Sequence, residues 1–444
     1  MKKGQGGSST NDGVGRRRVL GYSAVTAAAV GAAPLRGALA AKPGPGGFSP
    51  ERLKAVTAAM QAAVDKGDTA GVVTLLFRHG VVAQVIAVGW QDLAAKTPMR
   101  RDTIFRIASM TKPIVAVATL VLIEEGRIGL GDKAEKYLPE LANQTLLANP
   151  TDPLAGAKPS PRATTVLDLL THRSGIATPD TAPGPLTAAF KEADAAGRAA
   201  GPDDWIKRVG ALPLAYEPGS RFNYGSSFDV LGVLIARASG KPLPDLLDQR
   251  IFTPLGMKDT SFFVPAGKMP RLATNYGMPD PGTGKRPVTD QPGPDSRWAK
   301  PPAFPSGAGG LTSTADDYLK FARMLLDKGK LGDTRILSHK SVALMTANYL
   351  TPEQRRQPFV GLDFWAGQGF GLGVSVVDDV ARQERSPFGF SSAGSFGWPG
   401  AFGTWWQADP KEDMIQIFMV QMAAADRRRP LAPFQSLSYA AIDD

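Results

Sequence analysis

Apolar positions along the chain follow a helical period first, then an alternating one, then the helical period again, and return to alternation near the end. Leu53, Val56, Met60, Ala63 and Val64 recur at helix spacing and predict a helix over 51–66. The β-branched runs 71–77 and 81–89, joined by Arg78-His79-Gly80, predict a hairpin. From Ser109 to about Ser306 the strand signal nearly disappears. Helices are expected at 109–125, 164–171, 186–197, 203–209, 226–239 and 243–251, divided by Pro/Gly-rich stretches at 142–163, 177–185 and 277–305. A helix over 315–328 follows Ser313-Thr314, with Asp316 and Asp317 in its first turn, and another covers 338–347. Strand patterns then return at 369–377, 394–398, 403–408 and 414–421, and the segment 431–442 reads as a closing helix. The implied architecture is α+β: an antiparallel sheet built from both ends of the chain, flanked by N- and C-terminal helices, with an all-helical lobe inserted. Residues 41–108 and 307–444 form the discontinuous α/β lobe, 109–306 the helical lobe, and the cleft between them is the default place for a site.

The most apolar stretch runs from Ile114 to Ile123. It is far short of the roughly 20 residues that cross a bilayer and suits a helix buried on all sides. Its polar groups gather at one end. Ser109 and Lys112 are three residues apart, so a helix starting near Ser109 puts them on one face, separated by roughly 4.5 Å of rise. Pro113 fits a first turn and Gly126 a stop. A serine hydroxyl is a weak nucleophile until a base takes its proton, and a desolvated lysine amine is such a base. The helix start adds partial positive charge where an oxyanion would form. The competing reading makes Ser109 a helix cap and Lys112 a solvated charge. It loses ground because this Ser-x-x-Lys occurs once in the chain and opens its most apolar helix, where a charge needs a partner or a purpose.

Composition changes the picture mainly at the amino terminus. The 444 residues are 43% hydrophobic and 21% charged, an ordinary globular balance. Arg16-Arg17-Arg18, an Ala-rich apolar run to Ala33 and Ala38-Leu39-Ala40 together read as a twin-arginine export signal cleaved after Ala40, followed by a Pro/Gly linker over 42–47. The expectation is a periplasmic or secreted protein with no stable membrane anchor after cleavage. Without residues 1–40 the net charge of +10 falls to +5, too mild to argue for nucleic acid. The absence of cysteine excludes disulfides, thiolate metal sites and a cysteine nucleophile.

Two further stretches carry chemistry. Tyr224 and Ser226 lie two residues apart, just before a helix whose apolar positions include Val230, Leu231, Leu234 and Ile235. A tyrosine close to a lysine can exchange protons with Ser109 or with a leaving group. The segment 394–404 is a glycine-dense strand signal, and glycine within a strand marks close approach of backbone to a ligand.

Taken in order, Ser109-Met-Thr-Lys112, Tyr224-Gly-Ser226 and Trp398-Pro-Gly400 resemble the three elements of the serine β-lactamase and penicillin-binding-protein superfamily. The stretches 169–175 and 309–317 extend the resemblance over the mature chain. Tyr-x-Ser in the middle element resembles the class C and esterase side of the superfamily, and Trp398-Pro-Gly400 as the third element resembles the β-lactamase-like carboxylesterases of family VIII. The resemblance implies Ser109 as acylated nucleophile, with Lys112 and Tyr224 sharing the proton work in an order the motif leaves open. It implies an oxyanion hole from the backbone N–H groups of Ser109 and Ala401, a Ser226 that orients Lys112 or the substrate, and substrate contacts from Trp398, Pro399 and Gly400. Pro399 then belongs on a strand edge that lacks a partner and faces the cleft. Trp398 stands where β-lactamases carry a cation that holds the substrate carboxylate. The expectation is therefore an apolar acyl or alcohol surface made by Trp398 with Phe388, Phe390 and Phe396, and hydrolysis of short-chain carboxylic esters.

Alternatives within enzymes are a β-lactamase or D-amino-acid peptidase, and an acyltransferase. A catalytically silent protein that binds peptidoglycan or acyl ligands is the alternative outside them. A Ser-His-Asp hydrolase is disfavoured: there is no Gly-x-Ser-x-Gly elbow and there are only three histidines, His79, His172 and His339. His172 reads as a structural hydrogen-bonder in its loop. No zinc-ligand spacing and no phosphate-cradling loop is present, so no metal, nucleotide or other cofactor is expected and the partner is a small-molecule ester. Oligomeric state has no sequence signal.

Overall fold

A computed structural model of the chain describes residues 44–179, 181–357, 359, 362–385, 389–423 and 428–444. The export-signal expectation and Phe388 lie outside these residues. The framework is a sheet with strands β1 (Gly71–Arg78), β2 (Val81–Asp92), β3 (Thr97–Pro98), β4 (Gln368–Phe370), β5 (Ser375–Val377), β6 (Phe396–Pro399), β7 (Trp405–Asp409) and β8 (Met414–Met419). Their order is β4-β5-β6-β7-β8-β1-β2-β3, with antiparallel neighbours throughout. The two ends of the chain meet at its centre, where Thr74 of β1 sits opposite Phe418 of β8.

Period-two alternation sends the sheet's side chains into two cores. Val72 and Leu76 of β1, with Trp405 and Phe418, pack under helices α1 (Pro50–Asp65) and Arg428–Ala440 through Leu53, Val56, Met60, Leu431 and Phe434. Val73, Leu75 and Phe77 point the other way. There they meet Trp406, Ile417 and Met419 and the core supplied by α2 (Thr111–Glu124), α3 (Val166–Leu170), α4 (Pro185–Ala200), α5 (Pro202–Gly210), α6 (Ser227–Ser239) and α7 (Ala315–Leu326). Because both faces are covered, every residue of β1 is buried. The closing helix is α8 (Arg428–Ala440).

Two expectations are corrected. The segment 369–377 forms a tight hairpin instead of one strand: Gly371 N–H bonds the Val374 carbonyl at 2.8 Å, and Gly373 takes φ of 81°, which a side chain would resist. The helix expected from Ser109 begins at Thr111, preceded by a 3₁₀ turn over Ala108–Met110.

Candidate active site

Ser109 sits in that 3₁₀ turn, at the mouth of α2. Ala108 before it is buried in the left-handed region at φ 44°, a conformation that costs a residue with a side chain free energy and persists only where its surroundings impose it. The surroundings are tight. Tyr318 Oη donates to the Met110 carbonyl at 2.9 Å, the Thr111 hydroxyl accepts from the Leu311 N–H at 3.1 Å, and Ile107 N–H donates to the Leu311 carbonyl at 3.0 Å.

Lys112 is 2% exposed, so it is no solvated surface charge. Its Nζ donates to Ser109 Oγ at 3.1 Å and to the Ala308 carbonyl at 2.7 Å, and stands over the Tyr224 ring 4.4 Å from the centroid. Tyr224 is fixed from two sides. Trp398 Nε1–H donates to its phenol oxygen at 3.1 Å, and the His172 ring lies 4.5 Å from its own. His172 is fully buried, and its Nδ1 lies 3.4 Å from the Gly225 N–H, as an acceptor. Burial, helped by the Lys112 charge, holds this imidazole well below its ordinary pKa, so it is neutral and acts as a structural support.

These groups open into a cleft of about 570 Å³, lined by Ser109, Lys112, Tyr224, Ser226 and Ala401, with Phe262, Trp298, Phe304 and Phe402 as its apolar walls. Neither the Ser109 nor the Ala401 N–H has an acceptor among the described residues, as an oxyanion hole requires. Pairing of β5 with β6 stops at Gly397, so the edge at Pro399 is locally open although β6 lies inside the sheet. At Gly400 a Cβ would fall 2.5 Å from the Ile107 carbonyl oxygen; only glycine lets the end of β6 approach the turn that carries Ser109 this closely.

The chain matches the beta-lactamase family over residues 56–440. It belongs to the beta-lactamase family. This beta-lactamase-family serine hydrolase is similar to Protein Rv1367c of Mycobacterium tuberculosis, at 42% identity over 364 residues that cover 82% of this chain and 88% of that one. It is similar to Esterase EstB of Burkholderia gladioli at 31% identity over 382 residues, 81% of this chain and 88% of the relative. Among solved structures it superposes on EstCE1, described as a hydrolase with promiscuous acyltransferase activity, with TM-score 0.73, 27% identity, and coverage of 87% of this chain and 98% of that one.

Within the beta-lactamase-family site, the aromatic expectation is corrected. Trp398 is 1% exposed and packs against Phe364 and Phe370, so it supports Tyr224 from behind and is absent from the cleft wall, as are Pro399 and Gly400. Phe396 is core, against Trp406, and Phe390 is exposed beside Tyr439. Ser226 does line the cleft, yet its hydroxyl makes no hydrogen bond to Lys112 or to any other described residue.

Sequence reasoning missed the second layer of the site. Asp229 is 3% exposed; one of its oxygens accepts from Ser306 Oγ at 2.6 Å and from Ala308 N–H at 3.1 Å, the other from Arg198 at 2.6 Å. Ala308 in turn receives Lys112. The available signal was an aspartate inside an otherwise apolar helix, Ser227-Phe228-Asp229-Val230-Leu231.

Proposed function

We propose that this hydrolase cleaves carboxylic esters with short acyl groups through an acyl-Ser109 intermediate. The observation that carries the reading is the 3.1 Å contact between Lys112 Nζ and Ser109 Oγ at the floor of an apolar-walled cleft. Lys112 takes the hydroxyl proton as Oγ attacks the ester carbonyl. The oxyanion then lies between the N–H groups of Ser109 and Ala401. Indole N–H groups only donate, so the Tyr224 oxygen accepts from Trp398 and directs its own proton elsewhere, to the departing alkoxide. That step breaks the C–O bond and leaves the acyl group on Ser109. Water attacks in the second half, and the same groups return the protons. EstB and EstCE1, both hydrolases by name, support the ester class.

The test is steady-state turnover of p-nitrophenyl butyrate against nitrocefin and a D-Ala-D-Ala peptide, with mass spectrometry of the acylated peptide. Ester turnover and acyl mass on Ser109, both lost in Lys112→Ala, are expected; no ester turnover would remove the proposal. Added alcohols would divert the acyl group if the protein is an acyltransferase. We also propose that residues 1–40 direct export by the twin-arginine route. A secreted form beginning at Ala41, retained in the cell when Arg16 and Arg17 are both replaced by Lys, is the expected result.

A further inference from the structure

Among the described residues, five formally charged side chains line the cleft: Lys112, Asp194, Arg198, Asp229 and Arg297. Four of them are engaged. Lys112 is held by Ser109 and the Ala308 carbonyl. Arg198 bonds Asp194 at 2.8 and 2.9 Å and Asp229 at 2.6 Å, and lies 4.6 Å from the centroid of the Phe304 ring. Asp194 also accepts from Trp205 Nε1 at 2.8 Å. Arg297 is left over. It is exposed, forms no ion pair or hydrogen bond with any described residue, and rests 5.5 Å from the centroid of the Trp298 ring.

Its backbone is fixed on both sides. Buried Ser296 donates to the Asp290 carboxylate, with distances of 3.1 and 2.9 Å, and the Trp298 N–H returns to Ser296 Oγ at 3.2 Å. The Trp298 carbonyl accepts from Val264 N–H at 2.7 Å. Asp290 pairs with fully buried Arg106, three residues before Ser109. The loop that presents Arg297 is therefore tied to the segment that presents the nucleophile.

We propose that Arg297 is a specificity residue that recognises a carboxylate on the substrate, so that esters of half-acid or hydroxy-acid type are preferred over neutral ones. The inference rests on the ester-hydrolase reading. A guanidinium offers a planar fork that matches a carboxylate, and among the described residues no carboxylate competes for this one. A phosphate dianion would call for a second free cation, and Arg198 is already held by two carboxylates.

Two matched substrate pairs test it: p-nitrophenyl butyrate against p-nitrophenyl hydrogen glutarate, with the charge on the acyl side, and methyl 4-(butanoyloxy)benzoate against the free 4-(butanoyloxy)benzoate, with the charge on the leaving side. The readout is the kcat/KM ratio of charged to neutral ester. In at least one pair Arg297→Gln should lower that ratio about tenfold, through KM, with Arg297→Lys retaining part of it and about 0.5 M salt eroding it in the wild type. A ratio that Arg297→Gln leaves unchanged in both pairs overturns the inference while leaving ester hydrolysis intact. Fluorescence titration of Ser109→Ala protein with the charged esters separates the two ideas. Arg297-dependent binding without turnover by wild-type enzyme keeps this inference and removes the hydrolase reading.

Discussion

Asp229→Asn exposes how Lys112 is held. The asparagine keeps the shape but offers one acceptor where the carboxylate has two, so either Arg198 or the Ser306 and Ala308 donors face an N–H. Burial alone would lower the Arg198 pKa; the Asp229 charge and the bonds to Asp194 outweigh it and raise it above its ordinary value, which marks the pair as favourable. A hydrogen bond to a charged group contributes about 1.5–3 kcal/mol, and losing a buried pair altogether costs about 3–5. Arg198 is 33% exposed and keeps Asp194, so the lower figure applies, about 2 kcal/mol. Spread over an unfolding entropy of roughly 2.1 cal/mol/K per residue, this lowers Tm by only about 2–3 °C. The larger effect is on kcat. Ala308 loses the acceptor for its N–H, its carbonyl drifts, and Lys112 drifts with it. A displacement well under 1 Å costs about tenfold where 1 Å costs about a hundredfold. Calorimetry and p-nitrophenyl butyrate kinetics read the two effects separately. A protein with the lowered Tm but wild-type kcat would refute the link from Asp229 through Ala308 to Lys112.

Trp398→Lys, which restores the cation of related β-lactamases, should yield destabilised protein and no gain in nitrocefin turnover, because the ammonium would enter a cluster of Phe359, Phe364 and Phe370 at a cost above about 3 kcal/mol; a wild-type Tm would contradict this. Because the folded pKa of His172 lies below the unfolded value of about 6.5, only the unfolded chain takes up this proton, and stability falls as pH drops below about 6.5 at up to about 1.4 kcal/mol per unit. Urea titrations at pH 7 and 5.5 should show that slope in the wild type and a slope smaller by one proton in His172→Gln. Gly400→Ala forces a methyl against the Ile107 carbonyl and should lower kcat about tenfold or more at nearly unchanged expression; full activity would show that the turn before Ser109 yields freely.

The juxtaposition of Ser109 and Lys112 was legible because one helical turn brings them together, and the apolar run behind them shows which end of the helix faces a cleft. The sheet was legible where strands alternate, as in β1 and β8. The break in 369–377 was hidden, because Gly371 and Gly373 sit among residues that all suit a strand. Trp398 was misplaced for a different reason: its aromatic neighbours come from 359–370, and period-two reading gives a side chain's face but not what covers it. The Ala308 carbonyl carries no side-chain signature at all. Arg297 lay in a Pro/Gly-rich stretch with no period, where nothing in the sequence distinguishes a tethered loop from a free one.

The pairing of β1 with β8 has a consequence for how the molecule is made. During synthesis the hairpin of β1 and β2 leaves the ribosome early, but the strand that covers its other edge follows about 340 residues later. Until then a row of backbone donors and acceptors on an apolar ribbon stays open to wrong partners. Any nascent chain cut short of residue 414 lacks that strand entirely, so every such truncation leaves the same edge of the hairpin uncovered.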